Sequence, residues 1–470
     1  MTVESQVVPS NTYLEGNFAP THQETEQPCL NVQGEIPAEL KGCFLRIGPN
    51  PQYVKDIKSY HWFDGDGMIH EIEFDSGNAT YRNKWIQTKG FKIEQEEGKA
   101  LWNGINSPPD FSNPHGPMKN PANTAFVWNA NRLLALWEGG EPHEVKLPSL
   151  ETVGAETFNN KLMGYPYSAH PKVDPETGEM IACGYFMAAA PFVKHFVINK
   201  DGEMVKETPI DIPKGVMMHD CAITKNYTVI MDLPLTFDLP RAMKGKKPIQ
   251  WEPDNGARIG VLPRHADGSE VAWFDVEPGM VFHSMNAYED GDEIVLDACR
   301  SIQTTMLQED SDPDLDYAFP HQWRLNLKTG EVKETKFSEI SCEFPRINEN
   351  YQGRQYRYCW ASRFARTPQP LFNAFVKFDR ETGEEWVYEL GEGRYMGEAV
   401  FAPKEGSDKE DDGWVIGFVR DENKEVSECV IMDASDYTKG PVAVITMPTR
   451  VPYGFHAGWL GGAQIGRAHV

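Results

Sequence analysis

The stretch GVMMHDCAIT, residues 215–224, sets a histidine beside an aspartate, between two methionines and the apolar run YTVIMDLPL. Three roles suit His219 in such a setting: a satisfied core histidine, half of a proton-transfer pair with Asp220, or a metal ligand. Neighbouring side chains on a strand point to opposite faces, so Asp220 is poorly placed to orient His219. A His-Asp pair of the HD phosphohydrolase type also belongs on helices, and the flanks of this pair are β-rich.

Three more histidines stand in strand-like or aromatic surroundings: His170 in YPYSAHPKVD, His283 in MVFHSMNAYE and His456 in VPYGFHAGW. Each alone reads as a core or rim histidine. The gaps between the four are 49, 64 and 173 residues, and the last is close to three lengths of a four-stranded blade of about 58 residues. One histidine per blade would converge on a common axis, where imidazoles from separate blades can meet one ion. Metal-bound imidazoles usually pass their second N–H to a carboxylate or carbonyl. Glu138 in LLALWEGGEP, Glu343 in CEFPRINEN and Glu398 in GRYMGEAVFAP are candidates, although each alone also fits a surface turn.

The elements that must position these residues are β-hairpins. VDPETGEMIACGYF (173–186), HFVINKDGEMVKETPI (195–210), YEDGDEIVLDAC (288–299), RLNLKTGEVKETKF (324–337) and FVKFDRETGEEWVYEL (375–390) each join two β-prone runs through a glycine-bearing turn. GWVIGFVRD, ECVIMDASD and PVAVITMPT continue the rhythm, and helical periodicity is nearly absent. The expected architecture is all-β, with four-stranded blades of roughly 50–65 residues repeated radially. Pro-rich interruptions at 105–123 and 237–256 predict long loops and short helices gathered over one face.

Composition narrows the partners. A net charge of -25 over 470 residues repels phosphate backbones, which excludes nucleic acid. No segment reaches the roughly 18 apolar residues of a membrane span, and the N-terminus lacks the pattern of a secretion signal, so a cytoplasmic location is expected. The eight cysteines are scattered with no CxxC pair, which suits reduced thiols. Arg241, Lys244, Lys246 and Lys247 among apolar residues make 237–251 either a solvated loop or a peripheral membrane edge. FDGDGM (63–68) lacks the helices and terminal Glu of a calcium loop and is read as a turn between strands.

GCFLRIGPNPQY, YHWFDGDGMIHEI, NPANTAFVWNANRLLALWEGGEPHEV, YSAHPKVDPETGEM, GVMMHD, FHSMNAYEDGDEIVLDACR, EFPRINEN, GEAVFAP, EDDGWV and RVPYGFHAGW, in this order from about residue 15 to 460, resemble the carotenoid cleavage oxygenase family. They look nearest to its cyanobacterial apocarotenoid oxygenases and related plant enzymes. The resemblance implies a single seven-bladed β-propeller over 1–470 with an N-terminal arm (1–30); the atypical tail (461–470) departs from the family, whose chains continue with a further strand. The resemblance also implies one Fe(II) per chain held by His170, His219, His283 and His456. Glu138 would orient His219, Glu343 would orient His283, Glu398 would orient His456, and His170 would have no carboxylate.

The implied activity is cleavage of a carbon–carbon double bond in a carotenoid or apocarotenoid, with O2 as co-substrate and aldehyde or ketone products, a retinal-type product among them. Thr124 matches a position whose methyl group crowds a remaining coordination site; a strand Thr packed for β-propensity is the alternative. Family members that cleave stilbenes grip a phenol with Tyr and Lys, where this chain has the apolar Ile105 and Trp137. A non-catalytic propeller scaffold is the reading from another class.

Overall fold

Each glycine-bearing turn read from the sequence joins two antiparallel strands. Gly178, Gly202, Gly291, Gly330 and Gly383 sit in these turns with φ between +61° and +82°, a region that costs a side-chain-bearing residue energy. The computed structural model describes residues 10–238, 240, 241, 244, 248–304, 316–462 and 464.

The strands form a ring of seven blades. One sheet holds blade 1, four sheets of four strands hold blades 2 to 5, and a nine-stranded sheet holds blades 6 and 7. The last two are joined by a single residue pair, Phe372 with Met396. Blades 2 to 7 open on strands that begin at Ala125, Lys172, Cys221, Met280, Cys342 and Arg394. A two-stranded ribbon, Leu235–Phe237 with Ile249–Trp251, stands outside the blades. The α-helix Lys89–Glu97 is capped by the Thr88 hydroxyl, which accepts from the Phe91 N–H.

Closure uses both ends of the chain. Ala457–Gly461 pairs with Gly42–Arg46 as the innermost strand of blade 1, while Thr25–Pro28 lines that blade's outer edge. Asn31–Gly34 extends the outer edge of blade 7 by pairing with Pro441–Thr446. The expected arm, 1–30, thus contributes a blade strand. The strand after His456 closes the ring, and most of the 461–470 tail lies outside the described residues.

The apolar core lies between blades. Leu45 and Ile69 of blade 1 pack with Leu133 and Val145 of blade 2, and Phe44, Ile72 and Tyr81 pack with Ile416, Cys429 and Ile431 of blade 7. Burying both faces of each sheet accounts for strands such as Gly413–Asp421, which are buried along their whole length. The FDGDGM segment is a turn, Trp62–Asp64 followed by the strand Gly67–Asp75. Its Asp66 carboxylate and Glu94 each hold Lys119 Nζ at 2.8 Å, so a lysine occupies the place a cation would take.

All opening strands run the same way, so their first residues share one face. The long connections 49–67, 85–125 and 155–172 emerge on that face. On the other face, the blade 6 loop at 348–357 bridges the axis. Asn286 of blade 5 donates to the carbonyls of Tyr351 and Arg354 at 3.1 and 2.9 Å, and Arg354 pairs with Asp174 of blade 3 at 3.1 Å.

Candidate metal centre

Seven residues converge where the opening strands begin, one from each blade: His456, Glu138, His170, His219, His283, Glu343 and Glu398 in blade order 1 to 7. His456 directly precedes its strand, and His170 and His219 stand two residues before theirs. His283, Glu343 and Glu398 lie within theirs, and each falls at a break in the pairing register: between Val281 and Ser284, Glu343 and Arg346, and Met396 and Ala399. A bulge bends its strand and re-aims a side chain, which turns these three residues toward the axis.

The four histidines each present one ring nitrogen to a common point, all within 4.8 Å of one another. This is the one such group of His, Cys, Asp and Glu among the described residues. His170 Nε2 lies 3.0 Å from His219 Nε2, close to the separation of two ligands at right angles on an ion about 2.1 Å from each. His283 Nε2 is buried and has no hydrogen-bond partner among the described residues. A buried imidazole nitrogen without a partner is costly unless something accepts its lone pair, so the donor set fits a first-row divalent ion.

The outer nitrogens are tied back. His219 Nδ1 lies 2.6 Å from Glu138 Oε2, His283 Nδ1 lies 2.5 Å from Glu343 Oε2, and His456 Nδ1 lies 3.3 Å from Glu398 Oε2. Ionised carboxylates only accept, so each Nδ1 carries the proton and each Nε2 keeps its lone pair facing inward. His170 has no carboxylate partner among the described residues; its backbone N–H, and not its ring, donates to the Ser168 hydroxyl at 3.0 Å. Burial, and then the three neighbouring imidazoles, push His170 well below its ordinary range. Burial likewise lowers His456 to about 4, against the opposing pull of Glu398. At His219 burial lowers the pKa, but Glu138 outweighs it and the net shift is upward.

Several supporting residues carry no motif that marks them in sequence. Burial, and then the Glu138 carboxylate, push the Tyr185 hydroxyl well above its ordinary range, and Arg346 Nη1 stands 3.7 Å from Glu398. Burial raises the Glu398 carboxyl, but His456 and Arg346 reverse this and hold it below its ordinary range. Phe344 stacks on His283 at 5.3 Å and meets His456 edge-on at 5.2 Å, while its N–H donates to Glu343. It does so at φ +53°, a left-handed conformation rare for an aromatic residue. Asp220 points away from the axis, toward the neighbouring blades. Its oxygens accept from Lys172, Cys221 and Ser284 instead of from His219.

Thr124 immediately precedes the opening strand of blade 2. Its carbonyl accepts from the His456 N–H at 3.3 Å, and its hydroxyl donates to Asn123 at 3.1 Å. Ile105 is exposed on the 85–125 connection, and Trp137 directly precedes Glu138. Of the basic group in 237–251, Arg241 and Lys244 are described, and Lys246 and Lys247 lie outside the described residues. No helix among the described residues is long and apolar enough to cross a membrane.

The family model for retinal pigment epithelial membrane protein matches residues 18–461. A carotenoid 9,10(9',10')-cleavage dioxygenase of Crocus sativus is 38% identical over 96% of this chain and 90% of its own length. The carotenoid cleavage oxygenase of Mycobacterium tuberculosis is 33% identical over 98% of this chain and 99% of its own. Among solved structures, a lignostilbene dioxygenase of Pseudomonas brassicacearum superposes with a TM-score of 0.91 at 29% identity, covering 97% of this chain and all of that one. A cobalt-substituted Synechocystis apocarotenoid oxygenase does so with a TM-score of 0.84 at 28% identity, over 94% and 97%. With seven blades, an axial four-histidine group and near-full-length relatives, the chain belongs to the family of carotenoid cleavage oxygenases.

Proposed function

We propose that this protein is an iron(II)- and O2-dependent dioxygenase that cleaves a carbon–carbon double bond of a carotenoid or apocarotenoid into two carbonyl products. The observation that carries the reading is the convergence of four imidazoles, three of them tied to carboxylates, on one point of the propeller axis. The carotenoid-cleaving relatives support this substrate class, as do Ile105 and Trp137, which are unable to ionise a phenol.

Iron(II) bound by His170, His219, His283 and His456 would supply the binding and activation of O2. The chain's own residues set the conditions. Glu138, Glu343 and Glu398 fix the tautomers and raise the basicity of their imidazoles. All three carboxylates are thereby engaged, and none is free to act as an acid or base. The reaction needs none, because both atoms of O2 end in the two carbonyls and no proton is transferred overall. Phe344 and Phe282, whose ring lies 5.6 Å from His219, line the imidazoles with apolar surface that excludes water. Thr124, linked to His456 through its carbonyl, is the candidate for crowding a remaining coordination position.

With the loop at 348–357 bridging one end of the axis, a polyene would approach from the face of the long connections. Bond choice would follow from how far the chain of double bonds enters before one meets the metal. We place the enzyme in the cytoplasm, with peripheral membrane contact through 237–251; charge reversal at Arg241 and Lys244 should then weaken binding to liposomes and leave turnover in detergent intact.

A stilbenoid substrate is the second reading, favoured by the superposition on the lignostilbene dioxygenase and by a 31% identical isoeugenol monooxygenase of Pseudomonas nitroreducens. Incubating Fe(II)-loaded protein with β-apocarotenals of graded length and with resveratrol-like stilbenes, with and without O2, separates the two. Oxygen-dependent aldehydes are expected from the apocarotenals. Aldehydes from stilbenes alone would move the assignment, and none from either panel would overturn the catalytic reading.

A further inference from the structure

We propose that Asp220 is a positioning residue that holds three of the four histidine-bearing segments at the spacing metal binding requires. The inference rests on the reading of the histidines as a metal site. It differs from the role of the glutamates, each of which meets an imidazole directly.

Asp220 is 3% exposed. Its Oδ1 accepts from Lys172 Nζ at 2.6 Å and from the Cys221 N–H at 2.7 Å. Its Oδ2 accepts from both the N–H and the hydroxyl of Ser284, each at 2.8 Å. Four donors fill the capacity of one carboxylate. They come from three blades: Lys172 lies two residues after His170, Cys221 two after His219, and Ser284 directly after His283. One side chain thus joins the bases of three candidate ligands.

The reason lies in the bulge that aims His283 inward. Ser284 sits between two register breaks in the pairing of Met280–Asp290 with Glu293–Ser301. A bulge disrupts the ladder locally and leaves a backbone group in need of another partner. Asp220, one residue before the strand Cys221–Ile223, accepts that N–H: His219 turns to the axis and the next side chain faces the neighbouring blade. The His-Asp doublet therefore divides its work, with one residue for the ion and the other for the seam between blades.

The test uses metal-free, folded protein. Co(II) affinity is measured by chelator competition, the visible absorption of bound Co(II) is recorded, and the thermal midpoint without metal is followed in parallel. Asp220→Asn should weaken Co(II) binding about 10–100-fold, the range for outer partners of metal ligands, and shift the absorption band. Ser284→Ala removes one hydroxyl and leaves the Lys172 pair intact; it should weaken binding about 3–10-fold, with Ser284→Thr restoring it. If Asp220→Asn fails to fold, the Ser284 pair decides alone. Co(II) affinity and spectrum equal to the parent in the folded variants, or losses that track only the fraction unfolded, overturn the proposal. A parent chain that binds no Co(II) overturns the metal-site reading itself, a result distinct from a binding parent with unaffected variants.

Discussion

Glu343 on blade 6 lies 2.5 Å from Nδ1 of His283 on blade 5, across a blade boundary and 60 residues further along the chain. Both residues sit at bulges in their strands, so two local irregularities meet in one contact. The contact sets which ring nitrogen of His283 faces the axis.

Neutralising any of the three glutamates should therefore act through the imidazole it holds. Glu138→Gln, Glu343→Gln and Glu398→Gln are each expected to lower Fe(II) or Co(II) affinity about 10–100-fold, measured by chelator competition. Glu398→Gln should also lower thermal stability, because that carboxylate accepts the Ala457 N–H and faces Arg346. Parent-like affinity in all three variants would contradict the assignment.

Gly48 marks a close backbone crossing beside the segment that carries His456. A Cβ there would stand 2.6 Å from the Gly454 Cα, a contact between backbones that no rotamer relieves. Gly48→Ala should cost about 1–3 kcal/mol of stability, as overpacking does, and should weaken metal binding by moving the segment that carries His456. Unaltered melting and metal affinity would remove this segment from the account.

Burial lowers the His195 imidazole to about 3, and His70 and His143 are also lowered, chiefly by burial. In the unfolded chain these groups titrate near 6.5. Between pH 6.5 and 3 the unfolded state binds protons that the folded state refuses, so stability falls as pH drops through that window. Each such histidine contributes up to about 1.4 kcal/mol per pH unit. The thermal midpoint of metal-free protein should fall steeply below pH 6.5, and His195→Gln should flatten the slope. An identical slope in the variant would assign the acid sensitivity to other groups.

All eight cysteines are buried and none forms a disulfide. Burial pushes the Cys43, Cys359 and Cys429 thiols well above their ordinary range, which suppresses the reactive thiolate. A thiol reagent should label close to none in the folded protein and all eight after denaturation. Rapid labelling of the native state would contradict the burial.

The hairpin pattern was legible because a strand's alternation and its turn glycine are local properties. VDPETGEMIACGYF and RLNLKTGEVKETKF fold as the strands and turns they predict. The four histidines were legible for a related reason: each sits where a strand-forming stretch has no local use for it. The N-terminal strands were not, since Thr25–Pro28 and Asn31–Gly34 pair with Asn78–Trp85 and with Pro441–Thr446 rather than with each other. Arg346 and Tyr185 stayed hidden because nothing beside them in the chain reports the carboxylates they meet.

By itself, then, the sequence determined the strand content, the turns and the residue types that chemistry would need, all of which depend on neighbours a few positions away. The tertiary structure alone decided that one residue from each blade reaches the axis, that bulges turn His283, Glu343 and Glu398 inward, and that Asp220 faces the blade seam. Those outcomes depend on ring closure, which sets the distance between groups up to a few hundred residues apart and is written in no single stretch of the chain.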